Sequence, residues 1–81
     1  MKRVTNVHYA RKVISDELRE TLYFCTGIAS KKTRTSGFIE LQSGPITVKI
    51  AGFKSITVNE DRCTSSWEAK FVIGQLAGLD M

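Results

Sequence analysis

The sequence is poor in the residues that build metal and catalytic centres: its 81 positions hold one histidine and two cysteines, Cys25 and Cys63. Metal sites need several N or S ligands at close spacing, and no Cys-x-x-Cys or His-x-x-x-His pair occurs, so no metal ligand is expected. Gly-rich phosphate loops and the Gly-x-Ser-x-Gly elbow are also missing, which removes the cofactor and acyl-transfer classes that those motifs announce. The close acidic pairs, Asp16-Glu17 and Glu60-Asp61, sit in polar stretches with nothing to bury them or perturb their acidity. His8 has no nucleophile that the sequence can link to it, and reads as a surface or half-buried side chain. Cys25 lies in an apolar stretch that disfavours thiolate, whereas Cys63, beside Arg62 and just ahead of a helix start, has a setting that can favour it. The expectation is a non-enzymatic chain with no catalytic residue, no cofactor and no small-molecule substrate.

Long apolar runs are lacking as well. Nothing approaches the ~20 residues that span a bilayer, and Met1-Lys2-Arg3 is followed by Val4-Thr5-Asn6-Val7-His8-Tyr9 rather than by the apolar core of a signal peptide. A cytoplasmic protein with no membrane role is expected, its cysteines reduced; after export, Cys25 with Cys63 would be the one intrachain pairing open. A composition with 42% hydrophobic and 25% charged residues is globular, and the length allows a single domain over residues 1–81 with a small core.

What is present begins with charge. Residues 1–35 hold eight Lys or Arg against three acids, and residues 36–81 hold four against five. The excess is thus N-terminal, and it favours either an anionic partner or a solvated basic face.

The clearest structural signal is the C-terminal stretch. Ser65 and Glu68 have capping-box spacing, so a helix should start near Ser65. Ala69, Val72, Ile73, Leu76 and Leu79 fall on one side of it, with Trp67, Phe71, Gly74 and Gly78 opposite. A helix apolar on both sides needs something packed on both. Either Trp67 and Phe71 are ordinary core and the glycines fray the helix end, or these four residues face a protein partner, aromatics being favoured at binding hot spots.

Val4 to Ile14 mixes β-branched and aromatic residues and reads as a strand. Ser15-Asp16-Glu17 then serves as a hairpin turn into a strand over 21–28, where Leu22, Phe24, Thr26 and Ile28 share a face. The competing reading is a helix in which Leu18, Leu22 and Cys25 line up. Ala29 to Gly37 is small, polar and basic and reads as an exposed loop whose Lys31, Lys32 and Arg34 either touch phosphates or keep the chain soluble. Arg11 and Lys12 would join them if folding brings the segments together.

The middle of the chain is plainly β. Phe38 to Gln42 is a short strand and Ser43-Gly44-Pro45 a turn around the only proline. Ile46, Val48 and Ile50 alternate inward against Thr47 and Lys49. Ala51-Gly52 permits a turn or bulge before Phe53 to Val58, with Phe53, Ile56 and Val58 as core candidates. Asn59-Glu60-Asp61-Arg62 ends the sheet and leads into the helix, its acids suited to a helix start.

The fold expected is α+β: an antiparallel sheet of four to five short strands with one C-terminal helix packed on it, or, in the competing order, α-β-β-β-α. That second order resembles the double-stranded-RNA-binding domain, in which basic residues at the start of the final helix grip phosphates. Here that turn reads Thr64-Ser65-Ser66-Trp67-Glu68, with one acid and no lysine pair. The resemblance is one of element order, and no residue role is carried over from it.

The functional expectation is a small binding protein of the inhibitor, regulator or adaptor type that bacteria and phages encode. It would act on another protein or as a homodimer through Trp67, Phe71, Gly74 and Gly78. The alternative is nucleic-acid binding by Lys31, Lys32, Arg34, Arg11 and Lys12.

Overall fold

Val7–Thr26 forms one helix, α1, where the sequence predicts a strand over Val4–Ile14, a turn at Ser15-Asp16-Glu17 and a second strand. A computed structural model of the chain describes residues 7–35, 37–52 and 54–79, the side chains of Val7, His8, Ala10 and Leu79 excepted. Helical period beats local β propensity here: Ile14, Leu18 and Leu22 are fully buried along one stripe, with Cys25 packed at its end. The strand reading would have put Phe24 on the face of Leu22, yet Leu22 is buried and Phe24 is 89% exposed. The helix ends at Gly27, whose φ of 76° is open to glycine and whose N–H donates to the Tyr23 carbonyl at 2.8 Å, an αL cap.

The strands β1 (Lys31–Arg34), β2 (Ile39–Ser43), β3 (Ile46–Gly52), β4 (Ser55–Val58) and β5 (Asp61–Cys63) form one antiparallel sheet in chain order. The antiparallel sheet of four to five strands expected from the sequence has five, with different members. β1 falls where a loop is predicted, and β5 where the chain is predicted to leave the sheet. Asn59 and Glu60 are a hairpin turn, with φ of 50° and 75°, the double positive φ of a type I′ connection. Asn59 suits that geometry and also accepts the Thr47 N–H on Oδ1 at 2.8 Å. β3 carries the anticipated irregularity, a register shift between Ile50 and Gly52. Phe53, a predicted core residue, and Lys2, Arg3 and Ser36 lie outside the described residues, as does the side chain of His8.

The sheet has one apolar face. Ile39, Leu41, Ile46, Val48, Ile50, Ile56, Val58 and Cys63 are buried on it, and α1 and the final helix, α2 (Ser66–Leu79), cover it. The architecture is therefore two helices on one side of a five-stranded sheet, and the N-terminal helix is the correction to the expected single-helix fold. Arg11 Nε donates to the Ala51 carbonyl at one end of β3 (3.0 Å), while Thr26 meets Ser43 just beyond the other (2.7 Å between hydroxyls). α2 leaves from Cys63, which pairs with Ile56 and through it with Ile50, at the Ala51 end. Both helices thus cross the sheet in the same sense.

At the far end the buried Ser43 hydroxyl donates to the Ile28 carbonyl (2.8 Å) and the Ile28 N–H donates to Thr26 Oγ1 (3.0 Å). This closed ring ties the end of α1 to β2 and satisfies a polar group that burial would otherwise penalise. No helix among the described residues is long and apolar enough to cross a membrane.

One buried polar atom is left over. Ser15 Oγ is enclosed without a hydrogen-bond partner, and an unmet buried hydroxyl costs ~1–3 kcal/mol. Ser15→Ala also improves helix propensity, so it should stabilise the fold by about 1 kcal/mol or more in urea unfolding. A destabilised variant would show that the hydroxyl has a partner after all.

Candidate functional site

The outer face of α2 is set by how the helix starts and which side it buries. Ser65 Oγ accepts the Glu68 N–H (3.1 Å), and Glu68 Oε1 accepts the N–H and hydroxyl of Thr64 (3.0 and 3.1 Å). This is the anticipated cap, with its return bond one residue earlier than the capping box has it. Ala69 and Ile73 are then buried, with Val72, Leu76 and Ala77 packed at the margin. The same periodicity turns Trp67 and Phe71 outward, 75% and 58% exposed. Their rings stack, centroids 6.5 Å apart and planes 9° from parallel.

Gly74 and Gly78 are exposed on the same side. A Cβ built on either meets nothing within 4 Å, so the backbone there is bare toward solvent. Read along the helix, the stripe is ring, ring, gap, gap.

Phe24 belongs to this layer, and the sequence reading misses it. Glu17 Oε2 and Lys70 Nζ pair across the helices at 3.6 Å, and Phe24 lies about two turns beyond Glu17. It lines a shallow depression of about 350 Å³ together with Glu17, Glu20, Thr21 and Lys70. Helical phase was the available signal: once 7–26 is one helix, Phe24 falls outside the Ile14–Leu18–Leu22 stripe.

The basic residues singled out from sequence do not converge. Arg11 is held on the Ala51 carbonyl, and Lys12 pairs with Asp16 one turn along (3.3 Å). Lys31, Lys32 and Arg34 sit on β1 at the sheet edge, where charge discourages further strand pairing. Pairing of Lys31 with Gln42 puts it on the face away from the helices, whereas Lys32 and Arg34 register with the inward Leu41 and Ile39. Three cations passed over in the acid-rich half, Lys49, Lys54 and Arg62, instead line one depression with Phe38 on the open sheet face. Lys49 was readable as outward from strand alternation; its neighbours depend on cross-strand register, which no local pattern carries.

Cys63 differs from expectation. It is buried, and that burial pushes its thiol above the ordinary range, with Glu68 and Asp61 nearby adding to the shift. The neighbouring Arg62 and helix start do not reverse this, because the thiol faces the core. Both cysteines are free. Among the described residues no group of three His, Cys, Asp or Glu could hold a metal ion.

Comparison with known proteins finds no matching family model, no matching curated protein and no matching solved structure.

The two thiols should separate in a timed reaction with a thiol reagent at neutral pH: half-buried Cys25 is labelled first, and Cys63 only at the rate of unfolding. Folding holds a proton on Cys63 past the pH at which the unfolded chain releases it. Stability should therefore fall as pH rises above the ordinary thiol range, and Cys63→Ala should remove that part of the slope. Prompt labelling of Cys63 in the native protein would contradict its enclosure.

Proposed function

We propose that this chain is a small non-enzymatic binding protein of the regulator or adaptor type, acting by protein–protein contact through the outer face of α2. Its first occupant is a second copy of the chain. The observation that carries this reading is the stacked, outward Trp67–Phe71 pair followed by the bare backbone at Gly74 and Gly78. Solvent-facing aromatics of this size store the kind of burial energy that concentrates at binding hot spots.

The stripe also matches itself. Phe71 and Gly74 flank the midpoint between Val72 and Ile73 equally, and so do Trp67 and Gly78. A two-fold axis through that midpoint sets two α2 helices antiparallel, with Phe71 over the second copy's Gly74 and Trp67 over its Gly78. Each ring then meets a gap, which is what an isologous contact requires. Ring burial of ~150–250 Å² apiece makes the four rings the centre of an interface at the small end of the ~1,200–2,000 Å² range. A reversible monomer–dimer equilibrium in the micromolar range follows, with Phe24 at the rim.

Sedimentation velocity over a concentration series tests this. The wild type should dimerise and Trp67→Glu should remain monomeric with an unchanged circular dichroism spectrum. Gly74→Ala should act in opposite directions on the two equilibria. It gains ~0.8–1 kcal/mol of helix propensity in the monomer, while its methyl occupies the seat of the second copy's Phe71 and weakens the dimer.

For register, Trp67→Cys with Gly78→Cys places two thiols ~16 Å apart along one helix, beyond the ~7 Å Cα separation that a disulfide spans. Because a parallel pair would cross-link like positions in that double variant, the pairing is read from an equimolar mixture of the two single variants, mildly oxidised in a Cys25→Ser background. Antiparallel pairing gives the mixed disulfide dimer, and parallel pairing gives the two homodimers. A wild type that stays monomeric throughout overturns the second copy as occupant, and a dimer that survives Trp67→Glu overturns the face itself.

A further inference from the structure

We infer that the open face of the sheet carries a separate binding site for the phosphodiester backbone of single-stranded nucleic acid, centred on Lys49, Lys54 and Arg62. This site is independent of the helix-face reading, because it lies on the opposite side of the sheet and uses none of its residues.

Register builds the site. Thr33, Glu40, Lys49, Thr57 and Arg62 form one row across all five strands, on the face that no helix covers. Lys49 and Arg62 flank Thr57 at two strand spacings, ~9.6 Å. A shallow depression of about 310 Å³ opens over this half of the sheet, and Phe38, Lys49, Lys54, Ser55, Thr57 and Arg62 are among its walls. Three cations and no carboxylate line it. The carboxylates of this face, Glu40 and Glu60, line an adjoining depression with Thr47 and Asn59, which Lys49 and Thr57 also border, and Glu40 pairs directly with Lys49 in the strand register.

The cations are unspent. Among the described residues the only ion pairs are Lys12 with Asp16 and Lys70 with Glu17. Lys49 Nζ lies 5.6 Å from the centre of the Phe38 ring, while Lys54 and Arg62 are in no ion pair among the described residues. Three cations around one depression, against Glu40 and Glu60 beside it, leave a local excess of positive charge that is complementary to a polyanion. Arg62 offers a planar fork for phosphate oxygens and the hydroxyls of Ser55 and Thr57 can add neutral bonds between the charges.

The shape selects a single strand. Among the described residues no helix or ribbon projects from this face to enter a groove, which duplex readers need. A flexible strand can lie across the pleat and rest a base on Phe38, as single-strand binders do on aromatic platforms. The face is ~19 Å wide at four strand spacings, with Lys31 at its far edge, so it holds on the order of four nucleotides, the lower end of known site sizes.

Fluorescence anisotropy with labelled oligo-dT and oligo-rU is the test. Contact with three or four phosphates predicts a slope of about −2 to −3 in log K against log salt. The pair Lys49→Glu and Arg62→Glu should lower affinity at least ~30-fold, whereas Lys32→Glu with Arg34→Glu, the same charge change on the other side of the edge strand, should cost under ~5-fold. Phe38→Ala should lose ~5-fold or more if a base rests on the ring. Should the double reversal unfold the sheet, judged by circular dichroism, Lys49→Gln with Arg62→Gln carries the same comparison. The proposal is overturned by equal losses in the two charge-reversed pairs, by absence of binding at low salt, or by tighter binding to duplex DNA or to polyglutamate than to either oligonucleotide.

Discussion

Everything in this fold follows from a sheet that is apolar on one face only. Side chains alternate across a strand, so the inward series Ile46, Val48, Ile50 on β3 commits Thr47 and Lys49 to the other side, and pairing transmits that choice to β2, β4 and β5. A chain of 81 residues has two helices to spend on covering the apolar face. Each supplies a narrow buried stripe: Ile14, Leu18 and Leu22 from α1, Ala69 and Ile73 from α2. Among the described residues no element forms a third layer over α2. Its second stripe, Trp67 and Phe71, is exposed.

How much of this was legible depends on whether a segment's own pattern or its neighbours decided its structure. β2, β3 and β4 alternate clearly and were read nearly to their ends, and the start of α2 is written in Ser65 and Glu68. α1 was misread because its second half is rich in β-formers. Tyr23 and Phe24 looked like strand residues, when in fact they are the exposed side of a helix whose buried side is four residues apart. β1 looked like a loop since an edge strand that packs little and carries Lys31, Lys32 and Arg34 has the composition of one. β5 was missed because a type I′ turn announced by Asn59-Glu60 lacks the glycine that makes such turns recognisable. The candidate stripe on α2 was legible because the Ser65–Glu68 cap fixes where the helix starts and so which residues share a side, although apolar residues on both sides left open which side is buried. The cations of the open face could not have been grouped from sequence, because Phe38, Lys49, Lys54 and Arg62 come together only through the register of four strands.

Charge is distributed by face, more than by position along the chain. Within the helical layer Lys12 meets Asp16 and Lys70 meets Glu17, so each of these cations has an acid beside it. On the open sheet face Lys54 and Arg62 lie in no ion pair among the described residues, while Lys49 stands opposite Glu40. The open face thus carries Lys31, Lys49, Lys54 and Arg62 against Glu40 and Glu60, and the apolar stripe lies on the side toward the helices.

These two surfaces answer to different physics, and the thickness of the fold keeps them apart. A helix packed on a sheet puts their outer faces more than ~10 Å from each other, about one Debye length at physiological salt. Charge on the sheet is thus largely screened before it reaches Trp67 and Phe71. Salt weakens attraction between exposed charges while leaving apolar burial intact or strengthening it. A two-fold contact through α2 would also turn both sheets outward, away from the axis. Neither surface obstructs the other, and a dimer would present two basic faces back to back. Occupancy of one strand by both would then gain from effective concentration wherever the strand is long enough to pass around the molecule.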